Sequence, residues 1–222
     1  MDEKADIAKD MKSNLGKPTQ LVVSFDCTGS MRPCIQQVRQ KLRDLVEMMT
    51  ADIPGLKIGL IAHGDYCDGD NCINSLQPTD NLEAIMGFIS NTPNVGGGDA
   101  PECYEFALQT ARQMEWPKEG GSVILIGDDE PHEKNPNNIN WRDEIKLLLE
   151  KNVRVFPMQC LYTTHRAAVN KFWEEVSGLS ETPLLMLESF GDSANVLEAV
   201  AYASSGEESF NLYKAKYDAE VS

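Results

Sequence analysis

Three oxygen-bearing residues, Asp26, Thr28 and Ser30, alternate with Cys27 and Gly29 in the stretch LVVSFDCTGS at positions 21–30. On a loop beyond a strand end, that spacing points one carboxylate and two hydroxyls the same way. Such a set suits a hard cation such as Mg2+, which keeps water in its shell and rarely demands an all-protein cage. The competing reading is a helix cap, in which Thr28 or Ser30 accepts the first amides of the next helix.

Acids gather at two further places. The loop NTPNVGGGDAPE (91–102) carries Asp99 and Glu102 behind three consecutive glycines, and GDDEPH (127–132) carries Asp128 and Asp129. The glycine triplet is built for backbone angles and close approaches that other residues disfavour. If these loops share one rim of a sheet, their charges repel unless something cationic sits among them, and a divalent ion is the simplest remedy. The candidate metal ligands are therefore Asp26, Thr28, Ser30, Glu102, Asp128 and Asp99. Mg2+ is the expected ion, with Mn2+ or Ca2+ as alternatives. Gly97, Gly98, Asp129 and His132 stand at the same rim as candidate partner contacts, although a loop histidine is more often an ordinary surface residue.

The elements that must position these loops are legible in the hydrophobic spacing. Leu21, Val22, Val23 and Phe25 form the short β-branched and aromatic run of a strand buried in a parallel sheet. Ile35, Val38, Leu42, Leu45, Val46 and Met49 recur at three- and four-residue intervals, which predicts an amphipathic helix over 31–49. A second buried strand is expected at 56–62 (LKIGLIA), and an edge strand, closed by Pro78, at 73–76. A helix over 81–90, capped by Asp80 or Asn81, precedes the glycine loop. Pro101 sits in the first turn of the next helix, which carries Tyr104, Ala107, Leu108 and Ala111. SVILIG (122–127) is an uninterrupted central strand ending at Asp128. Helices over 140–151, 166–176 and 193–203 and strands over 153–158 and 182–187 complete the alternation. This order predicts an α/β fold with a doubly wound, mostly parallel sheet and one antiparallel edge strand. Ligands of such sheets sit past the carboxyl ends of the strands, where the three acidic loops would meet.

Composition sets outer bounds. A chain of 222 residues with 41% hydrophobic content supports one large domain, expected at 18–205, with an arm or short helix at 1–17 and an acidic tail at 206–222. The formal charge of -15 argues against a nucleic-acid backbone or an anionic membrane as the main partner. A charged N-terminal stretch and the lack of a long apolar run lead us to expect a cytoplasmic protein with six reduced thiols. Cys67 and Cys72 would close a small loop only in an oxidising compartment. His63, Cys67, Cys72 and Cys103 make a weak zinc set, because Cys-x4-Cys lacks a second close pair. GDYCDGDN departs from an EF-hand loop and reads better as a solvated turn. Trp116, Trp141 and Trp173 are expected on helix faces in the core.

Taken together, the three loops resemble the von Willebrand factor A domain and its metal-ion-dependent adhesion site. Asp26-Cys27-Thr28-Gly29-Ser30-Met31 matches the D-x-S/T-x-S element, and Gly96-Gly97-Gly98-Asp99-Ala100-Pro101-Glu102 and Gly127-Asp128-Asp129-Glu130-Pro131-His132 look like segments of the intracellular branch of that family. The alpha-kinase-associated members are the most similar. The resemblance implies a Rossmann-like fold over about 20–204, direct ligation by Thr28 and Ser30, and Asp26 and Asp128 in or just outside the coordination shell. Many members supply a Thr from the second loop, whereas this chain offers Asp99 and Glu102. Integrin beta-type domains use a D-x-P-E segment whose Glu reaches the metal, so the resemblance puts Glu102 first and Asp99 second. A direct Glu would blunt the ion's attraction for a partner carboxylate, so weaker partner binding, or a Glu102 that swings away, is expected.

The expected function is a cytoplasmic, Mg2+-dependent protein-interaction module rather than an enzyme, in which a protein ligand supplies an Asp or Glu. The rivals are a metal-dependent phosphoryl-transfer or hydrolytic enzyme and a metal-free scaffold. Aspartate-nucleophile enzymes resemble D-x-D, whereas position 28 is Thr, and no G-x-S-x-G, P-loop Lys or H-E-x-x-H is present.

Overall fold

Six strands form one sheet in the computed structural model, which describes residues 20–31, 39–40, 43–44, 46–47, 55–160 and 167–187. They are β1 (Gln20–Asp26), β2 (Lys57–His63), β3 (Ile73–Thr79), β4 (Gly121–Gly127), β5 (Val153–Cys160) and β6 (Leu185–Leu187). The spatial order is β3-β2-β1-β4-β5-β6, and every neighbouring pair is parallel except β2 with β3. This is the doubly wound, mostly parallel sheet with an antiparallel edge that the sequence predicts. Strand order reverses between β1 and β4, so the crevice opens where those two strands end.

β1 is buried along its whole length because its alternate residues serve two cores. Leu21, Val23 and Phe25 pack with Ile58, Leu60, Ile124 and Ile126 beneath Ile85 and Ile89 of α1 (Leu82–Asn91). Val22 faces the other way, with Val123, Leu125 and Val155, under α2 (Tyr104–Gln113), α3 (Trp141–Glu150) and α4 (Ala167–Ser180). Each such side chain contributes roughly 1.5–3 kcal/mol when fully buried, so packing rather than any cap fixes this strand. The same alternation turns Ser24 and Asp26 towards α2.

Aromatic contacts and ion pairs lock the three helices on that face. Phe172 lies 5.4 Å from Tyr104 and 5.0 Å from Trp141, and Trp173 lies 5.4 Å from Tyr104, ring centre to ring centre. Arg112 pairs with Glu144 between α2 and α3, and Arg142 pairs with Glu175 between α3 and α4. The start of α2, from which Tyr104 projects, is therefore held rigidly against the strand ends.

Several local expectations need correction. β3 runs to Thr79 and does not stop before Pro78: Ile58 pairs with Thr79 and Leu60 with Leu76, so Gln77 and Pro78 bulge opposite Gly59. An edge strand tolerates proline at such a bulge, and Gly59 leaves room, since a Cβ there would sit 3.0 Å from Pro78 Cγ. Pro101 lies before α2 rather than in its first turn, because Glu102 first makes a strand-like bridge to Pro131. α4 continues to Ser180, ahead of Glu181 at φ 52°, and β6 is shorter than expected because the Thr182 hydroxyl is drawn to Val155 O (2.6 Å). Trp141 and Trp173 are buried as expected, whereas Trp116 is half-buried beyond α2 and donates to Ala111 O (2.8 Å). Of the helix expected over 31–49, Met31 lies in a turn and residues 39–40, 43–44 and 46–47 are helical, the rest lying outside the described residues. The segments 1–19 and 188–222, with the expected arm, last helix and tail, lie outside the described residues. No helix among the described residues is long and apolar enough to cross a membrane.

Gly127 ends β4 where a Cβ would meet the Tyr104 hydroxyl at 2.0 Å and its ring at 2.7 Å. Gly127→Ala is expected to destabilise the protein by about 1–3 kcal/mol through overpacking, read as a lower urea midpoint. Adding Tyr104→Phe should not restore the midpoint, since the ring carbons remain 2.7 Å from the added Cβ.

Candidate functional site

The end of β1 folds its own side chains back over the strand. Thr28 N donates to Asp26 Oδ1 (2.8 Å), an Asx-type turn that a short acidic side chain makes readily. Cys27 N donates to His63 O (2.9 Å) and Val95 N donates to Cys27 O (3.1 Å), so the turn is wedged between the end of β2 and the glycine loop. Ser30 Oγ then donates to Asp128 Oδ1 (3.0 Å) and lies 3.3 Å from Thr28 Oγ1. Residues 98 positions apart are thus joined across the switch point of the sheet.

Tyr104 is a member of this constellation that the sequence reading placed only in the core. Its hydroxyl donates to Asp26 Oδ2 (3.0 Å) and accepts from Asp129 N (3.2 Å). The available signal was a tyrosine on an otherwise apolar helix face, because a buried phenol must find a partner. With Thr28 N on one oxygen and Tyr104 on the other, both oxygens of Asp26 are engaged and its carboxyl is fully buried.

Glu102 and Asp99 take different places. Glu102 N donates to Glu130 O (2.9 Å), which anchors the residue beside the loop after β4. Its carboxylate lies against Thr28 beneath Gly97: a Cβ on Gly97, at φ +67°, would sit 3.1 Å from Glu102 Oε1 and 3.5 Å from Thr28 Cβ. Glu102 Oε2 is buried and has no hydrogen-bond partner among the described residues. Asp99 is exposed on the loop. Asp128 and Asp129 are both buried, and Asp129 Oδ1 accepts from Glu130 N (2.8 Å).

The electrostatic consequence is a rim of confined negative charge. Burial, followed by the neighbouring Asp128, pushes the Asp26 carboxyl up to about 7. Burial, followed by Asp26 and Asp65, pushes Glu102 up to about 10, while the Thr28 hydroxyl partly offsets both shifts by hydrogen bonding. No lysine or arginine forms an ion pair with Asp26 or Glu102 among the described residues. Two hydroxyls and carboxylates, with one carboxylate oxygen unpartnered, form an oxygen-only donor set that fits a hard divalent cation.

The remaining candidates sit beside this centre. His132 is turned inward, its Nε2 2.8 Å from Asp65 Oδ1, and its ring lies 5.3 Å from that of Tyr66. A Cβ on Gly98 would meet Cys67 Sγ at 2.7 Å and Asp65 Oδ2 at 2.8 Å, so this glycine lets the loop close over β2's exit. Residues Tyr66–Asn71 of GDYCDGDN form a 3-10 turn; Asp65 accepts from Tyr66 N (2.6 Å), and Asp68 accepts from Asp65 N (2.9 Å) and Gly96 N (3.3 Å). Within this turn the acids accept from backbone amides instead of taking the spacing of a calcium loop. His63 is wholly buried, its Nδ1 3.1 Å from Ser24 Oγ, and burial lowers it to about 3, so it is a neutral core residue.

No protein-family model matches the chain. Among curated proteins, the alpha-protein kinase vwkA of Dictyostelium discoideum is 26% identical over 151 residues, a match that covers 61% of this chain and 24% of that protein. Among solved structures, the pilus adhesin SpaC of Lactobacillus rhamnosus GG superposes with a TM-score of 0.67 at 16% identity, over 84% of this chain and 30% of SpaC. The von Willebrand factor type A protein of Catenulispora acidiphila gives a TM-score of 0.64 at 14% identity, over 85% of this chain and 43% of the other. The chain thus spans about a quarter of the curated relative and less than half of either solved chain. With the strand order β3-β2-β1-β4-β5-β6 and a single antiparallel edge, these likenesses identify the fold as that of the von Willebrand factor type A domain.

Proposed function

We propose that this chain is a protein-binding module whose adhesion site holds Mg2+ and takes an Asp or Glu side chain from a protein partner. The observation that carries the reading is the meeting of three loops: Ser30 Oγ reaches both Asp128 and Thr28, and the unpartnered Oε2 of Glu102 lies in the same buried group. Thr28 and Ser30 would ligate through their hydroxyls, while Asp26, held by Thr28 N and Tyr104, and Asp128, held by Ser30, would set the orientation of the shell. Glu102 is the candidate direct carboxylate, and exposed Asp99 stands further out. Bound Mg2+ supplies a compact positive charge with exchangeable water positions, which is what a partner carboxylate needs. Gly97 and Gly98 let the loop lie close against Glu102, Thr28 and Asp65. The cytoplasmic setting belongs to the same proposal: Cys27, Cys67, Cys72, Cys103 and Cys160 are free thiols, which suits a reducing compartment.

Two observations weigh against the enzyme reading. Asp26, the acid that follows the first strand as a nucleophile would, is fully buried with both oxygens engaged, a poor posture for attack. The kinase activity in the relative's name belongs to a protein of which this chain matches 24%.

A Mg2+-dependent thermal shift tests the site. At a hundredfold excess over its dissociation constant, Mg2+ should raise the melting temperature of the parent by on the order of 5–10 °C. Thr28→Ala combined with Ser30→Ala should abolish the shift and leave the far-ultraviolet circular dichroism unchanged; a double variant that responds like the parent would place the ion elsewhere.

Stability against pH gives a second test. Asp26 and Glu102 have folded values raised from 3.8 to about 7 and from 4.5 to about 10, so the folded state binds more protons than the unfolded chain in that window. Their contribution is fully present below about pH 4 and is lost as pH rises through the folded values. In chelator, urea stability should therefore decline from about pH 5 towards pH 8, and added Mg2+ should restore progressively more of it as pH rises. Glu102→Gln should flatten the decline, and an unaltered slope would remove Glu102 from the charged cluster.

A further inference from the structure

Beside the oxygen-rich centre lies a second group of different chemistry. One ligating atom each from Asp65, Cys103 and His132 falls within 4.8 Å of the other two. The three residues come from the exit of β2, the residue before α2 and the loop after β4, so sequence spacing alone does not join them. Asp65 is 3% exposed and Cys103 fully buried, and the His132 side chain is 15% exposed, so the group is largely shielded from solvent. Cys72 Sγ lies 3.0 Å from Cys103 Sγ. Glu105, wholly buried, adds a second carboxylate nearby: Tyr66 donates to its Oε1 (3.0 Å), and its Oε2 has no hydrogen-bond partner among the described residues. Thiol, imidazole and carboxylate have been brought together with no lysine or arginine in an ion pair with them among the described residues.

We infer that Asp65, Cys103 and His132 form a zinc site, separate from the Mg2+ centre, that staples three loops of the rim together. A mixed oxygen, sulfur and nitrogen set selects a borderline-soft ion over Mg2+. With bonds of about 2.0 Å to oxygen and nitrogen and 2.3 Å to sulfur, the edges of a tetrahedral site run to roughly 3.3–3.6 Å. The 2.8 Å edge between His132 and Asp65 opens by about half an ångström, and the longer edges close from at most 4.8 Å. Binding releases the Cys103 thiol proton to solvent, and the Cys72 thiol then donates to the ligating sulfur, fixing its orientation. Because Cys103 follows Glu102 and His132 lies just past Asp128 and Asp129, the staple would pin the loops that carry the Mg2+ ligands.

Cobalt substitution tests this on the reduced full-length chain in Mg2+ buffer. Titration with Co2+ should produce a near-ultraviolet thiolate-to-cobalt charge-transfer band that saturates at one ion per chain and is bleached by Zn2+. Cys103→Ser should remove the band, and His132→Ala, at a partly exposed position, should keep the fold and weaken Co2+ binding by about tenfold or more. Thr28→Ala with Ser30→Ala should leave the band intact, which separates this site from the Mg2+ reading. A parent without the band, or a band undiminished in Cys103→Ser, overturns the inference. If Cys103→Ser fails to fold, unchanged Co2+ affinity in His132→Ala overturns it instead.

Discussion

The hydrogen bond from Tyr104 to Asp26 joins the centre of the sheet to the helix that covers it, and the rim depends on that contact. A carboxyl at the end of a strand that serves two cores has no route to water, and Asp26 is fully buried. An unpaired buried carboxylate is strongly unfavourable, so its oxygens must be satisfied locally. The fold does this with one backbone amide, of Thr28, and one phenol, of Tyr104. Neither supplies full positive charge, and so the carboxyl stays well above its ordinary range. A lysine or arginine there would have quenched the charge and closed the centre to any ion.

Positions around that contact are set by close approach. Gly127 makes room for the Tyr104 ring, and Gly97 lets backbone pass over Glu102 and Thr28. The ring contacts of Tyr104 with Phe172 and Trp173 hold α2 against α4, so Tyr104 is well placed to meet Asp26. Rigid helices thereby support loops whose own sequences are rich in glycine and acid, the usual division between scaffold and site.

Much of this was legible in the sequence, for physical reasons that differ from element to element. β4 carries a continuous apolar run and β1 one broken only by Ser24, because both are buried on both faces, and such a run stopping at an acid has few other readings. Asn81 and Asn140 cap α1 and α3 through their side chains, a local device visible in a short window. Loops meeting across the sheet leave no local trace: Tyr104 with Asp26 is a contact over 78 residues, and Cys72 with Cys103 one over 31. Pro78 misled for a related reason, since its tolerance depends on Gly59 in the facing strand. His132 read as a surface histidine because its partner, Asp65, lies 67 positions away.

Diffraction from crystals grown with Mn2+ in place of Mg2+, using the anomalous signal of the metal, would locate the ion. One strong peak is expected within coordination distance of Thr28 Oγ1 and Ser30 Oγ, with Glu102 or water completing the shell on the side of Oε2. Saturating Mn2+ with no peak between those hydroxyls, or with peaks confined to solvent-facing acids, would contradict it.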